Sequence, residues 1–63
     1  MNPSPREREI LSCALRGLSC KETARELSIT SNTVRTHRRN VMKKLGTSRI
    51  VVAVLSARAK GLI

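Results

Sequence analysis

The sequence predicts an all-α domain of four helices that contains a helix-turn-helix. Three observations carry that expectation. Two serine capping boxes stand near the start, Ser4-Pro5-Arg6-Glu7 and Ser19-Cys20-Lys21-Glu22, each with Ser at N-cap and Glu at N3 so that side chains satisfy the first free amides of a helix. Glycines at 17, 46 and 61 each follow an apolar-periodic segment, where a left-handed residue ends a helix. Only Ser28-Ile29-Thr30 separates the second helix from the third, and two helices joined by so short a turn, with a hydrophobic residue inside it, are the helix-turn-helix plan.

The first helix is expected over about 5–16. Pro5 occupies its first position, where the missing N–H is harmless. Ile10, Leu11, Ala14 and Leu15 share one face, and Gly17 ends it. The second helix, about 20–27, is short and turns Ala24 and Leu27 inward. Thr30 caps the third, about 31–45, with Ile29 placed to pack on Val34 as a hydrophobic staple. Gly46 stops it, and Lys43 and Lys44 lie in its last turn, where the helix dipole favours cations. Ser48 is the expected cap of a fourth helix, about 49–60, ended by Gly61. Its run of Ile50, Val51, Val52, Ala53, Val54 and Leu55 is apolar over more than one face. The β-branched residues favour strands, but a lone strand in a helical chain of 63 residues has no partner. The whole of 1–63 reads as one domain, small enough to bury only about 60% of its unfolded surface.

Charge is unevenly spread. Residues 1–26 hold five bases and all four acids, a net of +1, whereas residues 27–63 hold eight bases and no acid, a net of +8. A segment of one sign seeks a polyanion, nucleic acid first and an anionic membrane second. With no Phe, Tyr or Trp, base stacking on aromatics is unavailable, so a duplex is a better target than a single strand. No apolar run approaches the roughly 18 residues of a membrane span.

Turning the third helix at about 100° per residue places Val34, Val41 and Leu45 on one narrow stripe. Asn32, Arg35, Thr36, Arg39 and Lys43 fall on the opposite face, with His37, Arg38 and Met42 on the shoulders. Arg35, Thr36 and Arg39 lie where a recognition helix touches base edges: Arg can bridge the O6 and N7 acceptors of guanine, and the Thr methyl can meet a thymine methyl. Arg38, Lys43 and Lys44 are better placed for phosphates. Lys21, at the start of the second helix, offers another phosphate contact beside free backbone amides.

Other chemistries find little material. Cys13 and Cys20 form no CxxC pair and a single His cannot complete a zinc site, so two reduced thiols in a cytoplasmic protein and no metal or cofactor are expected. His37 has no Cys, Asp or second His at ligand spacing, and no Ser/His/acid set can be assembled because every acid lies within residues 1–26. The chain is not expected to be an enzyme.

The segments "PREREIL" at 5–11, "GLSCKETARELSIT" at 17–30, "NTVRTHRRNVMKKLG" at 32–46 and the terminal "GLI" together resemble the LuxR/GerE-type helix-turn-helix DNA-binding domain of bacterial transcription regulators. The likeness runs from Pro5 to Ile63. It implies that the third helix reads the major groove of double-stranded DNA, with bases contacted from Arg35, Thr36 and Arg39 and the backbone from Lys21, Thr33 and Arg38 or Lys43. It implies pairing of two copies through the fourth helix, which gives Val51, Val52 and Leu55 a use. It also implies a bacterial, nucleoid-associated location, with RNA polymerase as a further partner. The last helix opens "TSRIVV", where the family has Ser/Asn-Arg-Thr, so Arg49 is not carried over as a backbone contact. The family usually joins this domain to a receiver or ligand-binding domain, and the chain is therefore expected to be either a stand-alone regulator or an excised fragment.

Two other functions compete with sequence-specific DNA binding. The fourth helix could dock a protein partner while the basic charge only keeps the domain soluble. Residues 31–45 also fit loosely to a membrane-surface helix, but capped helices with matching apolar faces fit a folded domain better.

Overall fold

The computed structural model describes residues 2–63; Met1, the first residue of the expected domain, lies outside them. Four helices follow in order: α1 (Pro5–Leu15), α2 (Cys20–Leu27), α3 (Ser31–Lys44) and α4 (Ile50–Ala59). Their starts obey the local chemistry of the sequence. Ser4 Oγ accepts the Glu7 amide at 3.2 Å while Glu7 Oε1 accepts the Ser4 amide at 2.8 Å. Ser19 and Glu22 repeat the exchange at 3.1 and 2.8 Å. Thr30 Oγ1 caps α3 by accepting the Thr33 amide at 3.1 Å.

All four helices stop in the same way. The amide five residues on closes over a carbonyl of the last turn: Leu18 to Cys13 at 3.1 Å, Ile29 to Ala24 at 3.0 Å, Thr47 to Met42 at 3.0 Å and Leu62 to Ala57 at 2.9 Å. This closure needs a left-handed residue just before the donor. Glycine supplies it at 17, 46 and 61, and Ser28, with φ 57°, supplies it after α2. Arg16, Leu45 and Lys60 become the residues that cap their helices. That is why α1, α3 and α4 each end one residue sooner than the sequence reading had them.

The beginning of α4 is a correction. Ser48 does not cap it. Arg49 holds the N-cap position without a side-chain bond, and the helix proper starts at Ile50. Ser48 lies one residue too far upstream, and the hydroxyl that acts here is that of Thr47, which accepts the Arg49 amide at 3.1 Å.

Helix α1 packs on α3 and α4, and α2 packs on α3 and more lightly on α1. The interior divides into two groups around α1. Ile10, Ala24 and Val34 form one, covered by Cys20, Leu27 and Ile29, so that the staple residue Ile29 lies where the sequence placed it. Leu11, Val41, Ala53, Val54 and Ala57 form the other, covered by Ala14, Met42, Leu45, Ile50, Leu62 and Ile63. Ile10, Leu11, Val34 and Val41 are fully buried, each worth roughly 1.5–3 kcal/mol relative to exposure. Leu15 departs from the expected inward face of α1. It is 41% exposed while Cys13 is buried, because the buried arc is centred near Ile10 and Ala14 and Leu15 falls at its rim. No helix among the described residues is long and apolar enough to cross a membrane.

Candidate nucleic-acid interface

The outer face of α3 consists of Asn32, Thr33, Arg35, Thr36, Arg39, Asn40 and Lys43, all exposed, while Val34 and Val41 hold the helix to the core. This is the division that the helical spacing predicts. His37 and Arg38 are half-buried on the shoulders. The apolar stripe is narrow, so the helix can present a wide polar face and still be anchored at two points about two turns apart.

Asn32 organises that face in a way the sequence reading missed. Its Oδ1 accepts Arg35 Nη1 at 3.2 Å, and its backbone carbonyl accepts Thr36 Oγ1 at 3.1 Å. The signal was present as spacing, since residues three and four apart on a helix are neighbours. Two consequences follow. The Arg35 side chain lies back along the helix surface towards Asn32. Thr36 has spent its hydroxyl proton on the backbone, so it offers a methyl group and an acceptor to whatever lies opposite. Thr33, by contrast, shares a hydrogen bond of 2.8 Å with the capping hydroxyl of Thr30.

The charges sort into tied and untied. Arg16 pairs with Glu26 at 2.7 Å, Arg6 approaches Glu9 at 3.8 Å, and Lys44 pairs with Glu7 at 2.7 Å. The fourth acid, Glu22, is bound into the cap of α2; the Ser19 amide and hydroxyl hold its carboxyl below the ordinary value. The hydrogen bond and charge of Arg16 do the same for Glu26. Lys44 is thus a correction: the sequence placed it towards a phosphate, but it turns inward onto the buried Glu7. Among the described residues no ion pair involves Lys21, Arg35, Arg39 or Lys43, and Lys21 is exposed at the start of α2. Arg38 stands between the two groups, its Nη2 donating to the Leu18 carbonyl at 3.0 Å.

On the far side, α4 buries Ala53, Val54 and Ala57 but leaves Val51 65%, Val52 44% and Leu55 62% exposed. Ala14, Leu15, Ile50, Val51, Val54 and Leu55 line an open groove of about 220 Å³ between α1 and α4. Among the described residues no three His, Cys, Asp or Glu side chains gather as a metal site would require. Cys13 and Cys20 are both free thiols, the first buried and the second half-buried.

Comparison with known proteins agrees with this architecture. Residues 2–57 match the model of the family described as bacterial regulatory proteins, luxR family. The chain is 56% identical over 43 residues to the transcriptional regulatory protein MctR of Rhizobium johnstonii, covering 68% of this chain and 20% of MctR. It is 41% identical over 63 residues to the regulatory protein SdiA of Escherichia coli, covering 100% of this chain and 26% of SdiA. It therefore spans only about a fifth to a quarter of these curated relatives. Among solved structures, the response regulator ChrA of a heme-sensing two-component system superposes with a TM-score of 0.94 at 38% identity, over 100% of this chain and 31% of ChrA. The transcription factor GerE superposes with a TM-score of 0.88 at 38% identity, over 92% of this chain and 87% of GerE.

Proposed function

This chain belongs to the luxR family of bacterial regulatory proteins, and from that premise we propose that it binds double-stranded DNA sequence-specifically and regulates transcription. Helix α3 enters the major groove. Arg35 and Arg39 donate to guanine edges and Thr36 turns its methyl towards a thymine. Lys21, Thr33 and Lys43 hold the flanking backbone. The observation that carries this reading is the segregation of charge: every acid is engaged within α1, α2 or their contact with Lys44, and the outward bases of α3 are left without one.

Two copies pair through α4, each covering the other's Val51, Val52 and Leu55. Side chains of this size exposed together at 44–65% are the kind of surface that marks an interaction site. The dimer matches a near-palindromic site, works in the bacterial cytoplasm on the nucleoid, and acts on transcription through RNA polymerase.

Selection of bound sequences from a random duplex pool tests the proposal directly. It should enrich a motif with two related half-sites. Retention of the pool without enrichment sinks the base-reading assignment. A second reading, in which α4 docks a different protein and DNA plays no part, draws on the same exposed apolar face; sedimentation of the chain with a gel shift at low salt separates the two.

A further inference from the structure

In the sequence Arg38 looks like a third copy of Arg35 and Arg39, but its surroundings are unlike theirs. Its Nη2 donates to the Leu18 carbonyl at 3.0 Å, across twenty positions of chain. Its Nε is buried and has no partner, and the side chain as a whole is half-buried. A guanidinium grips a phosphate best through two parallel N–H groups; here one of these groups is enclosed and another is already engaged.

The acceptor is equally informative. Leu18 is fixed from both sides, because its own amide closes the end of α1 on the Cys13 carbonyl at 3.1 Å and the next residue, Ser19, caps α2. The Leu18 carbonyl is thus a rigid point beside the start of α2, where Lys21 stands. Val34 and Val41 anchor α3 by burial, and apolar contact is non-directional; the other directional tie of α3, Lys44 to Glu7, lies at its last residue, beyond the turns that carry Arg35 and Arg39. A rotation of about 10° moves a side-chain tip about 6 Å from the axis by about 1 Å. That exceeds the roughly 0.5 Å within which a binding constellation has to be held. A directional bond off the axis opposes this rotation.

We propose that Arg38 is a positioning residue that locks the rotation of α3 against the α1–α2 junction, and so sets where Arg35 and Arg39 fall relative to Lys21. The proposal rests on the DNA-binding function put forward above, and replaces a phosphate contact by Arg38 with a contact inside the protein.

Arg38→Lys is the discriminating variant. It keeps the charge, which a phosphate contact can use, but its shorter side chain stops short of the position that Nη2 occupies. Affinities are measured for the selected duplex and for duplexes altered at single base pairs, over a series of salt concentrations. Arg38→Lys should lose on the order of tenfold in discrimination between the two, a loss expected when base contacts are weakened rather than removed, with the wild-type salt slope. Arg38→Met, which removes charge as well, should lose discrimination too and again leave the slope unchanged. Wild-type discrimination in Arg38→Lys overturns the proposal. So does a slope reduced by about one in Arg38→Met with discrimination intact, which is the signature of a phosphate contact. Lowered thermal stability with unaltered discrimination in the folded variants assigns Arg38 a purely structural part and overturns it as well. A wild-type chain that selects no sequence refutes DNA reading itself, an outcome distinct from all of these.

Discussion

Lys44 Nζ and the Ser4 amide meet on the same oxygen, Glu7 Oε1, at 2.7 and 2.8 Å. One carboxylate therefore caps the start of α1 and fastens the last residue of α3 to it. Burial pushes the Glu7 carboxyl up, but the hydrogen bond from Lys44, the Ser4 amide and the charge of Lys44 outweigh it, and its pKa lies below the ordinary value. Glu7→Gln keeps a side chain suited to the capping box while removing the charge. It should destabilise the fold by about 2 kcal/mol at neutral pH, since a half-buried ammonium loses its counter-charge. Far-ultraviolet circular dichroism in a urea series measures it, as the chain has no Trp, Tyr or Phe for fluorescence.

The same pair sets a pH dependence. A carboxyl with a lowered pKa in the folded state adds stability above its unfolded value of about 4.3, and that stability is lost as pH falls through the folded value. Glu7, Glu22 and Glu26 all shift downward. The chain should hold its stability from neutrality to about pH 5 and lose it below, and Glu7→Gln should show a shallower acid loss. An equally steep loss in the variant removes Glu7 from the account.

Ser28 invites a stabilising substitution. It is the one left-handed residue in the described chain that is not glycine. That conformation costs an L-residue roughly 1–2 kcal/mol, while introducing glycine costs about 0.5–1 kcal/mol through the unfolded chain. Ser28→Gly should therefore raise stability by about 0.5 kcal/mol. Gly17→Ala should do the reverse by about 1 kcal/mol, through the backbone alone, because an added methyl would meet nothing within 4 Å. Thermal melting of the two variants should move in opposite directions.

For the outer face of α3, Arg35→Ala and Arg39→Ala should each weaken binding to a cognate duplex by about 1–3 kcal/mol and relax specificity at one position. Equal loss on cognate and random DNA contradicts the assignment. With Lys21 and Lys43 as the charged backbone contacts, about two phosphates are neutralised per subunit, and the log–log salt dependence should have a slope near −2 per subunit.

Leu55→Asp should abolish self-association with little change in monomer stability, since Leu55 is already 62% exposed. Sedimentation equilibrium reads the first and denaturant unfolding the second. Unchanged sedimentation of wild type and variant as dimers places the pairing surface away from α4.

Most of the fold was legible because its decisive signals are local. Two capping boxes, the staple at Ile29 and Val34, and glycines at 17, 46 and 61 each act within a few residues, and the structure repeats them in place. The apolar stripe of α3 was legible for the same reason, being a matter of spacing. What could not be read were the contacts that depend on how helices meet. Lys44 and Glu7 lie thirty-seven positions apart, and nothing in the sequence distinguishes Lys44 from Lys43 as the one that turns inward. Arg38 differs from Arg39 only once the Leu18 carbonyl is present beside it. The start of α4 failed locally: the sequence points to Ser48 as its cap, but Arg49 holds that position and the hydroxyl that accepts an amide there is that of Thr47.

The split interior gives α3 a mechanical character. Its first half is keyed through Val34 to α1 and α2, and its second through Val41 to α1 and α4, so the helix is a beam resting on two supports that share α1. A load carried by α4 meets the second support alone, where Leu11 and the Lys44–Glu7 pair pass it on to α1.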